Sequence, residues 1–207
     1  MITFNQASKS LTAATGSVVI ASAPILTALF ARIIFKEKIR PLGWLAIAVE
    51  FSGILVLILW SGILSVNAGI LWMFGAAVCI SSYNLLQRFL LKKYSPLQAT
   101  AYSVFAGTLF LLVYLPDAAI QFGNASLYRL LVMGFMGVFP SALAYMLWAK
   151  ALTMAQKISD VTNYMFVTPL LAALMGFLIM GEIPTLATCV GGLMIFAGLL
   201  LFKKSNA

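Results

Sequence analysis

Histidine is absent from this chain of 207 residues. That removes His-liganded zinc, Ser–His–Asp triads and imidazole proton relays from the chemistry the chain can carry. Cysteine occurs twice, at Cys79 and Cys189, both inside apolar runs. Their spacing fits no metal motif, and packing residues are expected there rather than a disulfide. Charged residues make up only 9% of the chain, against about 25% in a soluble domain. No phosphate-binding GxxxxGK[ST] loop is present, which argues against ATP coupling within the chain. No Ser–Lys or paired-Asp constellation is recognisable, so an enzyme is not expected and no metal or other cofactor is implied. Strict apolar/polar alternation over ~10-residue strands, as a membrane β-barrel needs, is missing. The N-terminus also lacks the basic region, short apolar run and small-residue cleavage site of a secretory signal.

What the chain has is apolar length. It is 63% hydrophobic, with mean hydropathy +1.05. Runs of roughly 18–25 apolar residues recur, each long enough to cross ~30 Å of hydrocarbon. Backbone polar groups in lipid must be satisfied internally, so these runs predict helices and an all-α membrane protein. Met1–Ser10 is too short to span. Seven transmembrane helices are expected, over Leu11–Ala31, Pro41–Trp60, Ala68–Leu90, Pro96–Leu115, Leu127–Ala149, Asp160–Met180 and Pro184–Phe202.

The loops alternate in charge. Arg32, Lys36, Lys38 and Arg40 follow the first span, and the loop at 61–67 has no basic residue. Arg88, Lys92 and Lys93 follow the third, while the 116–126 loop carries Asp117, with Arg129 just inside the next helix. Lys150 and Lys157 follow the fifth span, and Lys203 and Lys204 close the chain. By the positive-inside rule the N-terminus lies outside and the C-terminus in the cytoplasm. The net charge of +8 is then an orientation signal. The basic residues do not gather on one soluble face, so no nucleic-acid partner is expected.

An internal repeat runs through this pattern. Pro24 and Pro169, Glu37 and Glu182, and Gly53 and Gly198 all stand 145 residues apart. PILTAL at Pro24–Leu29 matches PLLAAL at Pro169–Leu174. An offset spanning five helices inverts the second copy in the membrane. Inverted repeats characterise secondary transporters, whose substrate site lies near the midplane. The expected division is 1–60, two spans of an incomplete first repeat, and 68–204, a complete five-helix second repeat. Phe4–Ser10 matches the tail of a third helix, so three helices of the first repeat are expected to be missing.

SALAYMLWAKAL at Ser141–Leu152, Pro169, Gly181–Glu182 and GGLMIFAGLLL at Gly191–Leu201 together resemble the end of an EamA-type permease of the drug/metabolite transporter superfamily. The resemblance covers essentially the whole chain as helices four to ten. It implies a ten-helix fold of two inverted halves, in which the first three helices help form the central cavity.

Several residues are candidates for chemistry. Pro24 and Pro169 fall mid-span, where a proline frees a carbonyl four residues back; a packing kink and a hinge both fit. Glu37 and Glu182 lie in turns, where a carboxylate can cap the next helix or serve proton coupling. Asp160, at the start of the sixth span, reads as an N-cap. Ser81, Asn84 and Arg88, with Tyr83 adjacent, form one polar stripe. Ser141, Tyr145 and Trp148 form another, and Asn163, Tyr164 and Thr168 a third. Polar faces should turn from lipid, either to hydrogen-bond between helices or to line a substrate cavity. A groove lined by Asn84, Tyr145, Trp148 and Asn163 is expected where missing helices would pack. Glu50, mid-span with Ile195 as its repeat partner, is a candidate for cation or proton coupling. Ala172/Gly176, Ala187/Gly191 and Thr188/Gly192 favour close helix packing, within the bundle or in a homodimer.

These features predict a permease moving a small metabolite, such as an amino acid, or a drug by alternating access. Its setting is the bilayer of a bacterial-type cell (inner) membrane. The alternative is a truncated or partial subunit without independent transport, needing a partner that supplies the missing helices.

Overall fold

The computed structural model describes residues 2–11, 16, 19–60, 68–123, 125–180 and 186–206, and among these every regular element is helical. The order is α1 (Ile2–Ser8), α2 (Ala23–Ile34), α3 (Pro41–Leu59), α4 (Gly69–Leu90), α5 (Pro96–Leu111) and α6 (Leu115–Gly123). Then come α7 (Leu127–Met136), α8 (Ala144–Met154), α9 (Ile158–Thr162), α10 (Thr168–Met180) and α11 (Leu186–Asn206). A π-helical turn, Gly137–Leu143, joins α7 to α8, and a 3₁₀ segment, Asn163–Val167, joins α9 to α10. Among the described residues, four continuous helices are long and apolar enough to cross a membrane: Gly69–Leu90, Pro96–Tyr114, Leu127–Met154 and Leu186–Ser205. Ala23–Ile34 and Pro41–Val56 are shorter apolar stretches. The protein is an all-α membrane protein.

Local chemistry explains the starts. Pro41 opens α3 and Pro96 opens α5, where a missing N–H costs nothing. Ser95 and Gln98 form a capping box at α5, with Gln98 N–H donating to Ser95 Oγ at 3.3 Å and Ser95 N–H to Gln98 Oε1 at 3.0 Å. Ser126 caps α7 by accepting from Arg129 N–H.

The first and sixth expected spans are not single α-helices. Part of the first lies outside the described residues, and Ala21–Ser22 form a turn before α2 begins. The sixth is interrupted by the 3₁₀ segment. Pro24 therefore lies in the first turn of α2, after the turn at Ala21–Ser22, where a proline displaces no intrahelical hydrogen bond. Pro169 lies where the 3₁₀ segment passes into α10, inside one helical run over Ile158–Met180. The helix starts at Ala23 and Thr168 stand 145 residues apart.

The chain forms two compact units, Met1–Leu85 with Gln156–Ala207, and Leu86–Ala155. In the first, α3 packs on α11 around Ala46, Ile47, Ile54, Ile195 and Phe202. A Cβ on Gly53 would lie 2.7 Å from the Gly191 carbonyl oxygen, and one on Gly198 would lie 3.0 Å from that of Ala46. The helices thus run antiparallel at backbone contact. Ala46 and Gly191 are also 145 apart, so the joint repeats itself about a local two-fold. The N-terminal α1 packs separately, Ala7 and Leu11 meeting Met73 and Ala76 of α4. Cys79 and Cys189 are free and exposed, on outward apolar faces rather than packed inside.

Lys36, just past α2, has φ of 55°. This left-handed backbone disfavours a Cβ. It turns the chain so that Glu37 N–H returns to the Ala31 carbonyl at 3.3 Å. Lys36→Gly is expected to stabilise the protein by about 0.5–1 kcal/mol. Thermal unfolding in detergent checks this, and a lowered midpoint would contradict it.

In the second unit, α5 packs on α8, and Thr100 Oγ1 donates to the Tyr145 carbonyl at 3.5 Å. Arg88 donates to the Leu152 and Ala155 carbonyls, and so caps the end of α8 with positive charge.

Candidate functional site

In the first unit a buried polar group surrounds the 3₁₀ segment. Ser81 of α4 is fully buried, and its Oγ lies 2.9 Å from the carbonyl oxygens of both Ala23 and Ala77. It ties α4 to the first turn of α2, beside Pro24. Thr27 Oγ1 donates to the same Ala23 carbonyl at 2.8 Å. Asn84, one turn beyond Ser81, is buried with its Nδ2 4.0 Å from Met165 Sδ. Asn163 opens the 3₁₀ segment and donates from Nδ2 to Glu50 Oε1 at 2.9 Å. Glu50 is fully buried halfway along α3. Winding explains why these side chains converge. Tighter 3₁₀ turns stack positions three apart, so Asn163 and Phe166 both point inward.

The same winding separates the expected stripe. Asn163 is buried, while Tyr164 and Thr168 are exposed. Tyr83 is half-buried on α4. Asp160 does not cap α9. The helix begins at Ile158 and places Asp160 in its first turn. The cap is Glu37. Its Oε1 accepts from Ile158 N–H at 2.7 Å, and its Oε2 accepts from Ser159 N–H at 3.4 Å and Ser159 Oγ–H at 2.8 Å. Glu37 was expected to cap the helix that follows it. That helix begins with Pro41, which has no N–H to offer, and its N-cap Arg40 makes no side-chain capping bond. Glu182 lies outside the described residues, as do Gly181 and Pro184.

In the second unit, Ser141 Oγ donates to the Met136 carbonyl at 2.9 Å, across the π-turn. Ser141 is exposed, Tyr145 is 43% exposed and Trp148 is half-buried. Two residues emerge here that the stripes did not include. Pro140 sits inside the π-turn of a helical run of 28 residues, the position where a proline does interrupt a continuous helix. Its signal was a proline deep within an apolar run of spanning length. Gln87 is 1% exposed, with Oε1 accepting from Ser103 Oγ at 3.3 Å and Nε2 unpartnered among the described residues. No three His, Cys, Asp or Glu side chains gather among the described residues in a way that could hold a metal ion.

The EamA-like transporter family matches residues 1–59 and 67–203. An uncharacterized transporter, YdfC, of Bacillus subtilis is 30% identical over 198 residues, covering 95% of this chain and 64% of that protein. A probable terminal-alkyne amino-acid exporter of Streptantibioticus cattleyicolor is 29% identical over 192 residues, covering 93% of this chain and 64% of the exporter. The chain thus spans 64% of the length of each of these relatives. A crystal structure aligns with 98% of this chain and 72% of its own, at a TM-score of 0.78 and 17% identity, and shares the fold.

Proposed function

The chain belongs to the EamA-like transporter family, and from that premise we propose that it is a secondary permease working by alternating access. It is a multi-pass membrane transporter. The observation that carries the mechanism is the α3–α11 joint. Two helices at equivalent repeat positions meet antiparallel, and their contacts match under the 145-residue separation. Inverted repeats of this kind support exchange between outward-open and inward-open states. The proposed arrangement is seven spans in the cell (inner) membrane, N-terminus outside and C-terminus cytoplasmic. Residues 1–60 contribute two spans of one repeat, and residues 68–204 form the other.

The proposed substrate class is a small metabolite, with amino acids first, in line with the name of the Streptantibioticus relative. In the second unit the proposed solute contacts are Ser141, Tyr145 and Trp148. Aromatic faces with polar tips suit an amphiphilic solute. In the first unit the corresponding candidates are Asn84 and Asn163. The proposed hinges are Pro24 and Pro169, joined by Pro140, where a π-turn can open and close within one helix.

The test is uptake of a radiolabelled amino-acid panel into proteoliposomes containing the purified chain, under an imposed pH gradient. Uptake above protein-free vesicles is expected. Tyr145→Ala and Trp148→Ala should each lower kcat/KM about tenfold, the equivalent of roughly 1.4 kcal/mol. Because neither side chain is fully buried, thermal stability should barely change. Absence of uptake across the panel, with a full-length relative active in parallel, would favour the second reading. That reading is a partial subunit without independent transport.

A further inference from the structure

Glu50 is 0% exposed, yet only one of its carboxyl oxygens is satisfied. Oε1 accepts from Asn163 Nδ2, while Oε2 has no partner among the described residues. The space it fills is made by a glycine: a Cβ on Gly198 of α11 would collide with Glu50 Cγ. The repeat shows that packing does not require this acid. Ile195 holds the position 145 residues on, and packs against Gly53 as Glu50 packs against Gly198. The residue 145 positions before Asn163 is Val18. Acid and amide thus replace apolar residues together, on one side of the two-fold only.

Among the described residues no countercharge meets this carboxyl. From α11 it faces Ile195 and Gly198, and the basic residues of that helix, Lys203 and Lys204, are exposed at its end. From the 3₁₀ segment it faces Asn163, and the titratable Tyr164 points outward. Asp160 of α9 lies one turn before Asn163 and is half-buried. A metal cation would need about six oxygen ligands, and one carboxyl with one amide offers too few. A proton needs only the carboxyl.

We propose that Glu50 is a proton-binding site whose occupancy passes through Asn163 to the 3₁₀ segment and so to α10. This rests on the transporter reading and names its coupling ion. A carboxylate holds the Asn163 amide by a charge-assisted hydrogen bond. Protonation weakens that bond and adds an O–H that needs an acceptor. The hydrogen bond that holds the 3₁₀ segment to α3 is then weakened. A 3₁₀ stretch inside a longer helix is an element that can rewind.

Infrared difference spectra of the chain in lipid vesicles, titrated from about pH 5 to 10, test the site without any substrate. A protonated-carboxyl C=O band that titrates with pH is expected in the wild type and should be missing in Glu50→Gln. Asn163→Ala keeps the acid and should shift the band, because its hydrogen bond is lost. This variant serves also if Glu50→Gln does not fold. A band unchanged by both substitutions, or no titrating carboxyl band at all, would overturn the site. In the proteoliposome assay, amino-acid uptake by wild type with pH-gradient dependence intact in Glu50→Gln would overturn the inference and leave the permease standing. A titrating Glu50 band in a protein that transports nothing would leave the proton site and remove the permease.

Discussion

Gly198→Val and Gly53→Val should each destabilise the protein by about 3 kcal/mol, the upper end of the usual cost of overpacking. The nearest obstacle is backbone at 53, and at 198 it is the Glu50 side chain with backbone close behind. A Cβ at 53 meets the Gly191 carbonyl at 2.7 Å, and one at 198 meets the Ala46 carbonyl at 3.0 Å and the Glu50 nitrogen at 3.1 Å. No rotamer change removes a carbonyl, so α3 and α11 must separate. Separation forfeits the interdigitation around Ile54, Ile195 and Phe202. The two alanine variants give a sharper test, because a shift that admits one methyl also makes room for the other. Gly53→Ala with Gly198→Ala should therefore cost less than the two single changes summed. Unfolding midpoints in detergent measure all of these. Strict additivity would mean that the two contacts are independent rather than one joint.

Glu37→Ala is expected to remove roughly 3 kcal/mol. Ile158 and Ser159 are 0% and 2% exposed, and Glu37 accepts from both of their backbone N–H groups. Truncation leaves these donors buried without partners, each costing about 1–3 kcal/mol. The Ser159 hydroxyl loses its acceptor as well. Gln at 37 keeps one acceptor oxygen and should recover part of the loss. Hydrogen exchange should place the opening at α9 and the 3₁₀ segment. Uniform loosening across both units, or no change, would show that the cap contributes little locally.

Membrane fold and several helix starts were legible in the sequence, because each rests on a local rule. Pro41, Pro96 and the Ser126–Leu127 step mark starts through their own backbone chemistry. The partner of Glu37 was not legible, since it lies 121 residues away and becomes available only once Lys36 has reversed the chain. Pro24 was misplaced for a related reason. A mid-span proline and a first-turn proline look alike until the helix is known to begin at Ala23. The split of Asn163 from Tyr164 followed from 3₁₀ winding, which a 3.6-residue period does not foresee. Glu50 stood out from its charge alone, but its amide partner needed the fold.

The two-fold character of the α3–α11 joint also has a meaning for assembly. A surface that offers the same contacts from either side is isologous, so it is self-complementary. α3 of one molecule presents to α11 of a neighbour what it presents to its own. Tethering within one chain favours the internal pairing through effective concentration, as does the packing of both helices on the 3₁₀ segment. At high density in a bilayer, during insertion, that advantage shrinks and helix-exchanged dimers become a competing product. The glycines that let the joint close therefore also set how readily two chains can swap it.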